Sequence, residues 1–160
     1  MPPIISIVGN SDSGKTTLIE KLIPELRHRG YRVGTVKHAS HGFDIDRRGK
    51  DSWRHHQAGA EIVVVASPEQ IAMVKNDPCD SLDCLERYFE GVDLVLAEGF
   101  KKESRPKVEI FRSSVHRQPV CLDDRNLIAL VTDAPLEVKV PLFGLEAVSE
   151  LADLIEAQYL

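Results

Sequence analysis

The sequence has few cysteines and no hydrophobic run long enough to cross a membrane. Its three cysteines, Cys79, Cys84 and Cys121, are an odd number without a C-x-x-C pair, which argues against a disulfide scaffold and against a zinc site. No apolar stretch approaches the roughly 18 to 20 residues that a transmembrane helix needs. The first residues, Met1-Pro2-Pro3, lead directly into an apolar segment and do not resemble a signal peptide. These absences predict a protein of the reducing cytoplasm with no membrane partner.

The sequence also lacks an excess of positive charge and is poor in aromatic residues. The net charge is −5 over 160 residues, which argues against a broad nucleic-acid-binding surface. Trp53 is the single tryptophan, and one aromatic side chain makes no stacking platform for bases. The 42% hydrophobic and 28% charged residues are ordinary for a globular protein. We expect one domain over residues 1–160 and no nucleic-acid partner.

Residues 9–16 match the phosphate-binding P-loop pattern G-x-x-x-x-G-K-[ST]. A strand-like segment precedes them and a segment with helical apolar spacing follows, which is the context that the motif requires. This context disfavours the alternative of a chance Gly- and Ser-rich turn. Lys15 is placed to reach the outer phosphates and is the candidate catalytic residue, while the Thr16 hydroxyl is placed to bind Mg²⁺. The residues predicted to form the loop are Gly9, Asn10, Ser11, Asp12, Ser13, Gly14, Lys15 and Thr16.

Strand-like and helix-like segments alternate along the chain. This order predicts an α/β, P-loop NTPase-like fold with a mainly parallel sheet and helices on both faces. Two runs around Pro68 predict an antiparallel hairpin, the first of which has the composition of a buried strand. The run 107–112 alternates and predicts a strand with one exposed face, and Pro24 predicts a kink in the first helix. The predicted strands are 4–8, 31–37, 62–66, 71–74, 92–97, 107–112 and 127–131; helices are predicted after the P-loop, at 51–58, from Asp80 or Ser81, and from about Leu145.

Acidic residues after two predicted strands are candidates for the metal side of a nucleotide site. Glu98 follows an apolar run, where P-loop proteins place the Walker-B acid, and ligands gather at this end of the strands. Asp44 and Asp46 lie in the polar loop after the second strand, and Asp46 is the better candidate of the two. For this loop a solvated turn is an equally good interpretation.

Base identity is poorly specified by the residues. A guanine-reading [NT]-K-x-D motif is absent, since Val131-Thr132-Asp133 stands at that place without the lysine. Asp133 could accept hydrogen bonds from guanine or could cap a strand end. The residues alone do not distinguish GTP from ATP.

Basic and histidine residues near the polar loop leave further alternatives open. Arg47, Arg48, Lys50 and Arg54 form either a solvated helix face or a second anion site. The histidines of this region lack a nearby cysteine to complete a zinc set. Polar loop residues or phosphate contacts are the better interpretation for them.

Several motifs together resemble the MobB family. The D-x-D-x-x-G-K-D-S-x-R-H run and E-G-F-K are much more specific than the P-loop, and the match covers nearly the whole chain in the same order. The matching segments are the P-loop from Gly9 to Thr17, Val36-Lys37-His38, Phe43-Asp44-Ile45-Asp46, Gly49-Lys50-Asp51-Ser52, Arg54-His55, Ala58-Gly59-Ala60 and Ala97-Glu98-Gly99-Phe100-Lys101.

The resemblance implies a GTP-binding adapter of molybdopterin guanine dinucleotide biosynthesis. It implies a homodimer with GTP and Mg²⁺, at most weak GTPase activity, and a partnership with MobA, the nucleotidyltransferase that joins GMP to molybdopterin. It further implies molybdopterin or target molybdoenzymes as partners. It extends the phosphate loop to Thr17 and makes Thr16, Asp46 and Glu98 the metal-side candidates. Arg47, Arg48 and Arg54 become candidates for holding a pterin phosphate.

Two other functions are compatible with the same phosphate loop. A small-molecule kinase would need an acceptor pocket and a lid, for which the arginines of the polar loop could serve. A nucleotide-binding module could function without hydrolysis. The absence of an obvious water-positioning Gln or arginine finger favours slow turnover over a fast hydrolase.

Overall fold

The computed structural model describes all residues from Met1 to Leu160 and divides them into two compact units. The sheet unit contains residues 1–38 and 80–160, and the hairpin unit contains residues 39–79. The P-loop belongs to the sheet unit, and the polar loop with Asp44 and Asp46 belongs to the hairpin unit. One domain over residues 1–160 stays a prediction.

The sheet unit is built on six strands in the order β2-β5-β1-β6-β7-β8, and all neighbouring strands are parallel. This confirms the predicted α/β fold class. The last strand was not predicted, because it has only two residues and no detectable hydrophobic period. The strands of this sheet are β1 Ile4–Val8, β2 Val33–Lys37, β5 Leu94–Glu98, β6 Lys107–Phe111, β7 Leu127–Thr132 and β8 Leu142–Phe143.

Helices cover both faces of this sheet. Helices α1 (Lys15–His28) and α4 (Val148–Tyr159) bury leucine and isoleucine side chains on one face. The short α3 (Leu82–Leu85), followed by a 3-10 turn at Glu86–Tyr88, packs on the other face through Leu82. Helix α1 is continuous through Pro24, and the kink there stays a prediction. None of the helices combines the length and apolar character that crossing a bilayer requires.

The strand β6 is buried on both faces, so the prediction of an exposed face was wrong. Its two charged residues, Lys107 and Glu109, each keep about 1% of their surface exposed. β6 lies between β1 and β7, where both sheet faces are covered. The charges are tolerated because Lys107 forms an ion pair with Asp124 and Glu109 accepts two backbone hydrogen bonds, one of them from Cys121.

The hairpin unit contains α2 (Asp51–Gln57) and the antiparallel strands β3 (Ile62–Ala66) and β4 (Ile71–Lys75). The antiparallel hairpin is confirmed. The prediction that 62–66 is a buried strand was wrong, since only Val63 in it is buried. The two strands form their own sheet, which leaves one face without a covering layer of this chain.

The cysteines differ from the expectation drawn from their spacing. Cys79 and Cys84 are disulfide-bonded, and Cys121 is a free, buried thiol. The spacing argument assumed one helix for Cys79 and Cys84, but α3 begins only at Leu82. A bond between these neighbouring segments is local and is not a scaffold.

Candidate functional site

The P-loop connects β1 to α1 and closes against β6. Gly9 has a φ of +144°, and a Cβ there would lie 2.4 Å from the Ile110 carbonyl oxygen. Only glycine fits so close an approach with this backbone conformation. The Leu18 N–H donates to the Gly14 carbonyl at 2.9 Å, which begins the first turn of α1. The loop therefore has the tight path that lets backbone N–H groups face a phosphate.

The Lys15 side chain folds back onto the first residues of this loop. Its Nζ donates to the carbonyl oxygens of Asn10 at 2.6 Å and Gly9 at 3.2 Å. At the tip, the carbonyl oxygen of Ser11 lies 2.6 Å from Nε2 of His116, which follows β6. The carbonyl oxygens of the loop are thus contacted by the Lys15 ammonium and by the His116 imidazole.

Thr16 and Glu98 meet beside the loop. Strand β5 ends at Glu98, in register with Ile7 of β1 and Lys37 of β2. The Thr16 Oγ1 lies 3.1 Å from each carboxylate oxygen of Glu98. A hydroxyl and a carboxylate are the hard oxygen donors that Mg²⁺ prefers, so this donor set fits the ion. The structure brings these two predicted metal-side residues together, while their binding of Mg²⁺ stays a prediction.

Lys37 is the ion-pair partner of Glu98, and further charges act on Lys15. Lys37 Nζ lies 3.0 Å from Glu98 Oε1. Burial lowers the pKa of Lys15; the Glu98 charge opposes this shift, and the ammonium groups of Lys37 and Lys101 add to it. Lys15 therefore lies near the Glu98 carboxylate and near two further ammonium groups, and Lys37 is the one paired with Glu98. Lys37 was not among the predicted site residues, although its place at the end of a strand next to β5 was a usable signal.

Asp46, the third metal-side candidate, lies in the hairpin unit. Its carboxylate accepts the backbone N–H of Arg47 at 2.7 Å, and Asp44 is exposed. Arg54 lies 3.8 Å from Asp51 one helical turn away. No group of three or more His, Cys, Asp or Glu side chains is arranged to hold a metal. A metal-binding role for Asp46 stays a prediction.

A cavity of about 220 Å³ flanks the P-loop on the side of β6. Two of its lining residues, Ser13 and Arg112, each have a buried side-chain atom without a hydrogen-bond partner, Ser13 Oγ and Arg112 Nε. Across it, Lys21 pairs with Glu146 at 2.6 Å. Of the lining residues, Ser13, Gly14 and Thr17 were predicted as nucleotide-binding, whereas Arg112 was not, although it directly follows β6 at its carboxyl end. The lining residues are Ser13, Gly14, Thr17, Leu18, Lys21, Ile110, Arg112, Leu145 and Glu146.

A larger cavity of about 1050 Å³ lies at the opposite ends of the strands. Its lining includes Pro3, Arg32 and Asp93, which directly precede β1, β2 and β5, and it includes no P-loop residue. Ligands of parallel α/β sheets bind at the carboxyl ends of the strands. The smaller cavity is therefore the one placed for a nucleotide.

Asp133 caps the end of β7. Its Oδ1 accepts the backbone N–H of Ser113 at 2.8 Å, and this hydrogen bond lowers the pKa of the carboxyl. The contact ties the carboxyl ends of β6 and β7 together. Of the two interpretations left open for Asp133, the strand-end cap is observed.

Comparisons with known proteins identify relatives over most of the chain. The model of the MobB family, "Molybdopterin guanine dinucleotide synthesis protein B", matches residues 4–133. A molybdopterin-guanine dinucleotide biosynthesis adapter protein of Haemophilus influenzae is 42% identical over 157 residues, which are 96% of this chain and 88% of the relative. The protein of the same name from Escherichia coli K12 is 38% identical, covering 97% of this chain and 92% of the relative.

Solved structures agree with these relatives. The crystal structure of Bacillus subtilis MobB superposes with a TM-score of 0.77 at 29% identity, covering 99% of this chain and 98% of that one. A crystal structure of a molybdopterin-guanine biosynthesis protein B gives a TM-score of 0.74 at 33% identity, covering 96% and 98%. With the P-loop and the E-G-F-K segment at adjacent strand ends, as the resemblance in sequence implied, the chain belongs to the MobB family.

Proposed function

We propose that this protein is an adapter of molybdopterin guanine dinucleotide biosynthesis that binds GTP with Mg²⁺ and hydrolyses it slowly. The observation that carries the proposal is the contact of Thr16 with both oxygens of Glu98 beside a closed P-loop. The adapter role comes from the names of the Haemophilus and Escherichia relatives.

Each residue of the site has a defined task in this function. The loop amides and Lys15 would bind the β- and γ-phosphates, with Lys15 leaving the carbonyls of Gly9 and Asn10 for phosphate oxygens. The Thr16 hydroxyl and the Glu98 carboxylate would hold Mg²⁺, which neutralises phosphate charge when bound. Asp46 remains the further candidate ligand from the hairpin unit.

Slow turnover follows from the partners of Glu98. The side chains paired with its carboxylate are Thr16 and Lys37, and neither is the Gln or Arg that orients water or stabilises charge in fast P-loop hydrolases. The site is suited to holding a triphosphate more than to cleaving it.

The cavity beside the P-loop would take the nucleoside. It is lined by the P-loop residues Ser13 and Gly14, by Thr17 and by Arg112, so it adjoins the proposed phosphate site. Selection of guanine rests on the family resemblance, because Asp133 already caps a strand end with one carboxylate oxygen.

A homodimer formed through the hairpin unit is part of the proposal. One face of the β3–β4 hairpin carries apolar side chains, and four of them are 46% to 73% exposed: Ile62, Val64, Ile71 and Met73. Contiguous exposed apolar surface marks interaction sites, and both strands of a two-stranded sheet have an unpaired edge. A second copy would cover this face.

The partner of the dimer would be a MobA-type nucleotidyltransferase, acting in the cytoplasm. Arg47 and Arg48 are exposed on the hairpin unit and, with Arg54, would hold the phosphate of molybdopterin before transfer to target molybdoenzymes.

Nucleotide binding is the first test. Fluorescent GTP titrated into wild-type protein with Mg²⁺ should bind, and Lys15→Ala should lose binding, whereas Lys139→Ala, the same charge change on an exposed residue outside the loop, should not. Unlabelled GTP should displace the probe at lower concentration than ATP. Equal displacement by ATP would contradict the base assignment.

The fate of the γ-phosphate is the second test. With γ-labelled GTP and candidate acceptors, all label should reach water. Label on a small-molecule acceptor would instead identify a kinase. A variant that binds but cannot hydrolyse, and that retains full cofactor assembly, would identify a binding module in which hydrolysis is incidental.

The oligomeric state is the third test. Val64→Asp should shift the protein from dimer to monomer in light scattering coupled to size exclusion. Val115→Asp introduces the same charge at a valine that is 42% exposed in the sheet unit and should remain dimeric. A wild-type monomer at high micromolar concentration would contradict the proposal.

A further inference from the structure

Lys37 occupies a position that the phosphate-loop motif does not explain. It is the last residue of β2, and its neighbour in the sheet register is Glu98, the last residue of β5. The His38 N–H donates to the Glu98 carbonyl at 3.0 Å, which fixes the two strand ends side by side. The Lys37 ammonium is thereby placed at the carboxylate by the sheet itself.

The Glu98 carboxylate has one cationic partner and one hydroxyl partner. Lys37 Nζ lies 3.0 Å from Oε1, and Thr16 Oγ1 lies 3.1 Å from both oxygens. The Glu98 side chain is 14% exposed, so it would be poorly hydrated without them. The Lys37 ammonium therefore supplies the positive charge next to Glu98 that a bound divalent cation would otherwise supply.

The lysine itself is not confined. Its side chain is 64% exposed, and an exposed ammonium on a flexible four-carbon stem changes partner at little cost. A cation bound by Thr16 and Glu98 would repel it, while the terminal phosphate of a nucleotide would offer new anionic oxygens within reach of the same strand end.

We propose that Lys37 holds Glu98 in the nucleotide-free protein and transfers to the terminal phosphate of a bound nucleoside triphosphate when Mg²⁺ takes its place on Glu98. This rests on the proposed binding of nucleotide and Mg²⁺ at the P-loop. Lys37 then competes with the cation for Glu98 and is the residue that distinguishes a triphosphate from a diphosphate.

The exchange makes two measurable predictions for Lys37→Ala. Loss of the phosphate contact should weaken Mg²⁺-dependent triphosphate binding about tenfold while diphosphate binding stays within about twofold, as expected for one charge-assisted hydrogen bond. Loss of the competing ammonium should lower, by about threefold, the Mg²⁺ concentration that half-saturates diphosphate binding. Fluorescent nucleotide titrations at fixed and varied Mg²⁺ measure both.

A merely structural role predicts the opposite sign for the cation. If Lys37 only orients Glu98, its removal would raise the Mg²⁺ requirement and weaken both nucleotides alike. Lys37→Arg keeps the charge and should retain the triphosphate preference. Lys139→Ala removes one exposed positive charge before β8, at the edge of the sheet opposite to β2, and should match wild type in every titration.

The outcomes separate this inference from the function on which it rests. Wild-type protein that binds no nucleotide overturns both. Nucleotide binding by wild type, lost in Lys15→Ala, together with an unchanged triphosphate preference or a higher Mg²⁺ requirement in Lys37→Ala, overturns the exchange alone. Thermal unfolding shows whether the Lys37 variants are folded, and Lys37→Gln, which removes the charge but keeps most of the side chain, replaces Lys37→Ala in both titrations if that variant is not folded.

Discussion

Substitution of Asp124 by Asn should destabilise the sheet unit strongly, because it leaves a buried lysine without its counter-charge. Lys107 is 1% exposed and lies on the central strand β6. Its Nζ lies 2.9 Å from Asp124 Oδ2 and donates to the Glu103 carbonyl at 2.5 Å. Asn at position 124 would keep a hydrogen-bond acceptor but remove the negative charge, so the ammonium would remain buried and unneutralised.

The magnitude follows from the burial of the pair. Removing one partner of a fully buried ion pair costs about 3 to 5 kcal/mol. Asp124 keeps 26% of its side chain exposed, so water reaches part of the site and we expect about 3 kcal/mol. For a domain of this size that is a fall in unfolding temperature of about 6 to 12 °C. Lys107→Met together with Asp124→Asn should recover part of this loss, since no charge is then buried.

Urea unfolding of wild type, both single variants and the double variant measures the coupling between the two residues. The Lys107 hydrogen bond holds the pKa of Asp124 below its ordinary value of 3.8. Its contribution is therefore present above about pH 4 and is lost as pH falls through the folded-state pKa, where wild type and Asp124→Asn should converge. A cost below about 1 kcal/mol at pH 7, or a double variant no more stable than Asp124→Asn, would refute the reasoning.

Three further predictions concern single sites. Gly9→Ala should abolish nucleotide binding in the fluorescent titration, because its Cβ would meet the Ile110 carbonyl oxygen at 2.4 Å; wild-type affinity would contradict the loop geometry. Burial raises the pKa of Cys121 to about 11, so at pH 8 a disulfide reagent should label this thiol at least about tenfold faster in urea than in the native state. Arg32 holds the pKa of Asp93 at about 2, so the carboxyl NMR signal of Asp93 should titrate near that pH. In Arg32→Ala the pKa of Asp93 should return toward the ordinary range. The stability that this pair contributes is present above about pH 4 and is lost as the pH falls toward 2.

The sequence predicted strands where local composition decides the backbone and failed where burial depends on distant segments. The bounds of β1 and β3 were predicted to the residue, because both are β-branched runs with clear ends. The burial of β3 and β6 was predicted wrongly. Whether a strand face is covered depends on which layer lies over it, and neither alternation nor apolar content specifies that layer.

The candidate site divides in the same way. Lys15 and Thr16 follow from a contiguous motif, and Glu98 follows from its place at a strand end. Arg112 and Glu146 both line the cavity beside the P-loop, because the parallel strands β6 and β8 end at the same side of the sheet. Neither residue lies in a sequence motif that would have predicted this position. Contacts between residues about 100 positions apart are set by strand order, which the sequence pattern alone did not determine.

The positive charge near the P-loop is local, and the fact that lysines supply it bears on the rate of hydrolysis in the proposed function. The protein has a net charge of −5, yet the charges of Lys37 at the end of β2 and Lys101 after β5 both act to lower the pKa of Lys15 at the start of α1. Ammonium groups neutralise phosphate charge as compact points, whereas the planar guanidinium of an arginine finger binds two oxygens at once and fits the transferring phosphoryl group. If the proposed nucleotide binds here, lysines around its outer phosphates would stabilise the bound triphosphate about as much as its transition state, and binding that is equal in both states does not accelerate cleavage.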